Sequence, residues 1–131
     1  RAVLEEAFVV VLPKAHPLCR LAEIAPADLA DQPAYFLARR FAPSFHDDFM
    51  QAMKRSGTPL TILQELGEFT TMVALVVAGM GIGILPELTM VARPDGVEVR
   101  PLRLPGCLSR IGLAWTDLAT PIKRTFFKCA G

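Results

Sequence analysis

Leu75-Val-Val-Ala-Gly-Met-Gly-Ile-Gly-Ile-Leu-Pro86 reads as the end of a helix, a tight glycine turn, and a short buried strand running out into a proline. The spacing of Gly79, Gly81 and Gly83 invites comparison with a dinucleotide-binding loop. Such a loop follows a strand and opens a helix, so that phosphate meets the helix N-terminus. Here the helix comes first and the strand follows, which argues against a nucleotide site. Gly79 suits a left-handed helix terminator. Gly81 lets the chain turn, and Gly83 lets a neighbouring element approach the strand closely.

Working outward, the helix spans about Phe69 to Ala78 and is apolar nearly all round, which predicts burial rather than an amphipathic surface position. Thr71, Ala74 and Ala78 put small side chains on one of its faces, where another element could pack. Upstream, Leu60–Leu63 reads as a strand. Ser44 reads as the N-cap of a preceding helix, with Asp47 three residues on as a capping-box relative. Phe45, Phe49, Ala52 and Met53 form its apolar stripe, Lys54 and Arg55 occupy its last turn, and Gly57 is the expected stop. Ala34–Ala38 and Phe8–Leu12 are further strands, with a short helical turn after Pro26 between them. Downstream, Pro86 begins a helical segment to about Ala92, and Pro94-Asp-Gly96 makes a turn. Val97–Leu102 is a strand, Leu104–Ser109 a loop suited to a crossover, and Ile111–Thr116 a last strand. Thr120 and Pro121 begin a final helix with Ile122, Phe126 and Cys129 on one side.

The run Phe8-Val-Val-Val-Leu12 has no polar alternation. A strand of that kind is buried on both faces, which suggests a parallel sheet covered by helices. Strands and helices alternate along the chain, so the expected class is α/β, with a mostly parallel sheet and helices on both faces.

With 131 residues, 52% of them hydrophobic, and a net charge of +1, the chain fits one ordinary domain able to bury a core. Lys and Arg cluster no further than pairs such as Arg39-Arg40 and Lys123-Arg124, which is no electrostatic footprint for DNA or a membrane surface. The longest apolar run, Met72–Leu85, is broken by three glycines and is too short to span a bilayer. The opening residues carry acids before any apolar region, unlike a signal peptide. Three widely spaced cysteines, Cys19, Cys107 and Cys129, fit free thiols in a reducing, cytoplasmic setting.

The catalytic inventory is thin, and no catalytic residue, metal or cofactor is expected. His46-Asp47-Asp48 has ligand chemistry, but consecutive helical residues point in different directions and cannot all face one ion. Cys19 near His16 is a candidate nucleophile pair, weighed against the ordinary buried thiol. The better site is Phe36-Leu-Ala-Arg-Arg-Phe-Ala-Pro-Ser44, a loop leaving the C-terminal end of a strand and entering a helix. Ligands of open α/β sheets bind at that edge. Arg39, Arg40, Phe41, Ala42 and Ser44 are its candidate residues, with Glu68, Phe69, Thr70 and Thr71 arriving from the next helix start. Unpaired N–H groups and a guanidinium would hold a carboxylate there. Against this stands a plainer arrangement, in which both arginines pair with surface acids and the threonines cap a helix.

Taken together, the segments resemble the C-terminal effector-binding region of LysR-type transcriptional regulators. Val11-Leu-Pro-Lys-Ala-His-Pro-Leu18 resembles that family's LP-x-x-HPL strand, Asp28-Leu-Ala-Asp-Gln-Pro33 its DL-A-x-x-P element, and Leu75–Pro86 its most specific piece, LVAAG-x-G-I-x-LLP. The loop Phe36–Pro43 is most similar to the branch that senses acids of aromatic catabolism. The resemblance implies a periplasmic-binding-protein-like (type 2) architecture, two α/β subdomains with a small organic acid in the cleft between them. It implies residues 1–105 as the second subdomain and 106–131 as the crossover, strand and helix returning toward a mostly missing first one. It also implies a dimer or tetramer, and DNA binding only through an N-terminal helix-turn-helix absent from this chain. The expected function is therefore a ligand-sensing regulatory domain that modulates transcription, not an enzyme and not membrane-bound. A solute-binding protein of a transport system shares the architecture and is the alternative.

Overall fold

The structure, a computed structural model, describes residues 2–112 and the side chains of residues 5–109. The part of the expected Ile111–Thr116 strand beyond Gly112, and the expected final helix bearing Ile122, Phe126 and Cys129, lie outside them. Among the described residues, seven strands and two α-helices follow in the order β1 (Ala2–Glu6), β2 (Phe8–Pro13), β3 (Ala34–Leu37), α1 (Pro43–Arg55), β4 (Ile62–Leu66), α2 (Phe69–Val77), β5 (Ile82–Pro86), β6 (Val97–Pro101) and β7 (Ser109–Gly112). Short 3-10 turns at Pro17–Arg20, Pro26–Leu29 and Glu87–Met90 complete the path.

Five strands form one sheet in the order β4-β3-β5-β2-β6, and β1 pairs with β7 in a separate two-stranded ribbon. The α/β class stands, but the sheet is mixed. β3 runs parallel to β4 and β5, whereas β2 runs antiparallel to both β5 and β6. A continuous apolar run reports burial on two faces; it does not report direction. Phe8, Val10 and Leu12 enter one core with Phe36, Phe49, Met53 and Ile84, while Val9 and Val11 enter the other with Tyr35, Met72, Val76 and Leu85. Every residue of β2 before Pro13 is buried.

Local chemistry sets the helix ends. Gly79, at φ +77°, ends α2: its N–H reaches Val76 O at 2.9 Å, and Met80 N–H reaches Leu75 O at 3.1 Å. That pair of bonds is a Schellman motif. Gly57 ends α1 in the same way, with Gly57 N–H on Lys54 O and Thr58 N–H on Met53 O. Gly83 serves the close approach expected of it, since an added Cβ would lie 3.1 Å from both Cγ and Sδ of Met72 on α2.

Three local expectations are corrected. Ser44 is not the cap of α1: Ala42 holds that position, and its carbonyl accepts from His46 N–H at 3.0 Å. Pro43 takes the first helical position because its fixed φ suits it and it has no N–H to satisfy there. The strand expected at Leu60–Leu63 runs instead from Ile62 to Leu66, because Gln64 and Glu65 are tolerated on an exposed edge strand. Finally, α2 is not buried all round. Met72 and Val76 are buried, and Phe69, Val73 and Leu75 partly so, but Thr70, Thr71, Ala74, Val77 and Ala78 are exposed. One sheet face covers only one stripe of a helix.

β3, β4 and β5 end at the same sheet edge, at Leu37, Leu66 and Pro86. β2 begins there, Phe8 standing opposite Pro86, and β6 ends there, Pro101 standing opposite Val9. The β1–β7 ribbon therefore leaves from the edge that carries the candidate loops. The buried Glu6 side chain ties this crossover down, accepting Leu88 N–H at 2.7 Å, while Glu87 N–H donates to Ala7 O at 2.9 Å. Glu6→Ala leaves the Leu88 donor without that partner and is expected to cost about 1–3 kcal/mol, with Glu6→Gln retaining most of it. Urea denaturation checks this; an unchanged midpoint for Glu6→Ala would show the bond to be dispensable.

Candidate functional site

The loop after β3 is a compact turn. Phe41 N–H donates to Ala38 O at 3.0 Å, Ala42 N–H to Arg39 O at 3.2 Å, and Ala38 N–H continues the ladder to Leu66 O at 2.8 Å. Four phenylalanines underlie it. Phe36 at the end of β3 stacks on Phe45 of α1 at 5.4 Å between centroids, and Phe49 packs on Phe36 at 4.7 Å and on Phe8 at 4.9 Å. This cluster fixes where α1 starts relative to the strand ends.

Above it the side chains divide. Arg39 makes a two-pronged ion pair with Asp47 on the first turns of α1, Nε to Oδ1 at 2.9 Å and Nη2 to Oδ2 at 2.8 Å. Arg40 lies over the Phe41 ring at 4.7 Å, a cation–π contact. Phe41 is itself 57% exposed, and its ring lies 3.1 Å from where a Cβ on Gly67 would stand. Gly67 thus allows the Arg39–Ser44 loop and the Glu68–Thr71 turn to meet. At that turn Thr71 Oγ1 donates to Glu68 Oε1 at 2.8 Å, with Glu68 at the cap position of α2. An anion approaching that helix end meets a carboxylate already there, so the N-terminus of α2 is the poorer of the two anion positions. Phe69 and Thr70 line a recess of about 250 Å³ with Val73, Thr89, Met90, Ala92 and Pro94. Ala42 is partly buried beneath the turn, and Ser44 is exposed beside it.

His46, weighed in the sequence only as a metal ligand, instead bridges α1 to β4. Its Nε2 lies 2.8 Å from Glu65 Oε1 on β4, its Nδ1 3.3 Å from Asp47 Oδ1, and its ring packs on Phe36. The signal was hidden in the register: Phe36 stands opposite Glu65 only once β3 and β4 are paired. Among the described residues no group of three or more His, Cys, Asp or Glu could hold a metal ion. His16 and Cys19 do not form a nucleophile pair. The ring of His16 accepts from Leu18 N–H at Nδ1 and bonds Gln32 Oε1 through Nε2, and the Cys19 thiol donates to Pro13 O. Both ring nitrogens being engaged, His16 has none left to ionise the thiol.

A mixed α/β sheet with helices on both faces, and with a two-stranded ribbon leaving the edge that bears its loops, has a type 2 periplasmic-binding-protein-like fold. The family described as LysR substrate binding domain matches residues 1–130, and the chain belongs to that family. It is 35% identical over 122 residues to the HTH-type transcriptional regulator IlvR of Caulobacter vibrioides, covering 92% of this chain and 40% of that protein. Its fold superposes on CbnR, a LysR family transcriptional regulator, with a TM-score of 0.88 at 18% identity, over 99% of this chain and 45% of that one. It superposes on the BenM effector binding domain, solved with its effector benzoate, with a TM-score of 0.76 at 22% identity, over 98% of this chain and 62% of that one. At such identities the two structures establish the fold alone. The chain spans about two-fifths of the length of the relative named above. No helix among the described residues is long and apolar enough to cross a membrane.

The hydrogen bond from Arg39, helped by a weaker one from His46, holds the Asp47 carboxyl below the usual carboxylate range, and Asp47 in turn raises Arg39. For a depressed acid, the pair's contribution is present above the ordinary carboxylate value and is lost as pH falls through the lowered one. A carbon-detected titration of Asp47 is expected to show a midpoint below that of a free aspartate, and Arg39→Ala to move it upward. A midpoint indifferent to Arg39→Ala would show that the ion pair does not persist in solution.

Proposed function

We propose that this chain is the ligand-sensing part of a cytoplasmic transcriptional regulator, and that a small organic anion binds at the Arg39–Ser44 loop, within a cleft completed by a second subdomain. The observation that carries the reading is the meeting of Arg40, Phe41 and the Gly67–Glu68 turn at the sheet edge from which β1 and β7 depart. Arg39 and Arg40 supply cationic donors, Phe41 and Phe69 supply apolar walls for the body of an aromatic or aliphatic acid, and Ser44, Thr70 and Thr71 supply hydroxyls. Ala42 and Glu68 frame the two helix starts. BenM, whose effector is benzoate, lends support to a carboxylate as the ligand class.

Closure of the cleft would change how subunits of a dimer or tetramer are arranged. Only a difference in ligand affinity between the two arrangements can drive that change. In the full-length regulator DNA would be read by an N-terminal helix-turn-helix, in keeping with Lys and Arg clustering no further than pairs along this sequence.

The test is a dose response of the full-length regulator to its effector. Arg40→Ala and Thr70→Val are each expected to raise the effector concentration needed while leaving the domain folded. For Arg40 the loss of a charge-assisted bond corresponds to about 1.5–3 kcal/mol, or roughly tenfold to a hundredfold. Wild-type responses from both variants, with circular dichroism unchanged, would place the site elsewhere.

A further inference from the structure

Arg39 is already occupied. Its side chain is 60% exposed, yet its Nε and Nη2 are both bonded to the carboxylate of Asp47, a two-pronged arrangement that an incoming organic acid would also use. We propose that Asp47 is an internal stand-in for the effector carboxylate, competing for Arg39 and setting the concentration at which the site fills. This inference rests on the site reading above.

Three features of the geometry support competition over simple bracing. Asp47 is 43% exposed on its side chain, so the pair lies open to an incoming carboxylate. Asp47 has a second partner, since its Oδ1 lies 3.3 Å from His46 Nδ1. His46 is in turn anchored by Glu65 across the gap to β4 and by the Phe36 ring beneath it. Release of Arg39 therefore leaves Asp47 in place and partnered, with no need to unravel α1. The exchange is one carboxylate for another on the same guanidinium. The effector gains from Arg39 only the excess over what Asp47 already supplies. Arg40, stacked on Phe41, has no such internal acid among the described residues, so the two arginines play different parts: Arg40 attracts, and Arg39 sets a threshold.

The polar groups around the exchange are Arg39, Asp47, His46 and Glu65, drawn from the loop, α1 and β4. Removing the competitor should tighten anion binding, whereas removing a brace should loosen it. The two roles therefore predict opposite signs.

The experiment titrates benzoate into the full-length regulator at low salt, followed by isothermal titration calorimetry. It compares wild type, Asp47→Asn, Asp48→Asn, Arg39→Ala and the Arg39→Ala/Asp47→Asn double variant. Asp48→Asn makes the same change in net charge one residue away, and so measures the general electrostatic gain. Asp47→Asn is expected to bind benzoate about twofold to fivefold more tightly than Asp48→Asn, the range of an exposed ion pair. That gain is expected to vanish when Arg39 is also removed. Binding by Asp47→Asn equal to or weaker than by Asp48→Asn, with Arg39→Ala still weakening the wild type, would overturn the competition and leave the site intact. Benzoate binding indifferent to Arg39→Ala in both backgrounds, or no benzoate binding by any variant, would overturn the competition and the carboxylate site together.

Discussion

The packing of Phe8, Phe36, Phe45 and Phe49 is the contact on which the functional end of this molecule depends. It joins the first residue of β2, the end of β3 and two turns of α1 beneath a single loop. Aromatic pairs of this kind contribute about 0.5–1.5 kcal/mol each beyond the area they bury. Their consequence for function is positional. With Phe45 held against Phe36, Asp47 faces Arg39 and His46 faces Glu65; a helix starting one residue later would turn both away.

Sheet topology sets the second constraint. Because β2 runs antiparallel to its neighbours, the chain enters and leaves the five-stranded sheet at the edge where the polar loops lie. Glu6 and Ala7 then fasten the crossover to the Glu87–Met90 turn. The loop bearing Arg40 and Phe41 and the β1–β7 ribbon leave the sheet at the same edge. Under the proposed reading, ligand occupancy and subdomain arrangement would meet at this one edge, and no long relay through the core would be needed to couple them.

Much of this was legible in the sequence, for physical reasons that differ by residue. Gly79 and Gly57 stop helices through a backbone conformation few other residues adopt, so their roles could be read locally. The stripe Phe49, Ala52 and Met53 follows from helical period and is buried as expected. Strand direction was not legible, because Phe8–Leu12 carries a burial signal identical for parallel and antiparallel neighbours. The N-cap was misplaced by two residues because Pro43 outcompetes Ser44 for the start of the helix. At the site, the sequence brought Arg39 and the Glu68 turn to one edge. It could not show that Asp47 already holds Arg39, that Glu68 spends its carboxylate on Thr71, or that His46 bridges to β4. Each of those depends on a pairing between segments that no local pattern encodes.

The central claim is that an organic anion is held where the β3–α1 loop meets the β4–α2 turn. A backbone amide shift map of the isotope-labelled chain on addition of benzoate tests it most directly. The account predicts that the largest shifts fall on residues 39–44 and 67–71, with smaller ones along the edge at Glu6 and Leu88. Shifts concentrated instead on the opposite sheet edge, around residues 14–17 and 96–98, with the arginine loop unmoved, would contradict it.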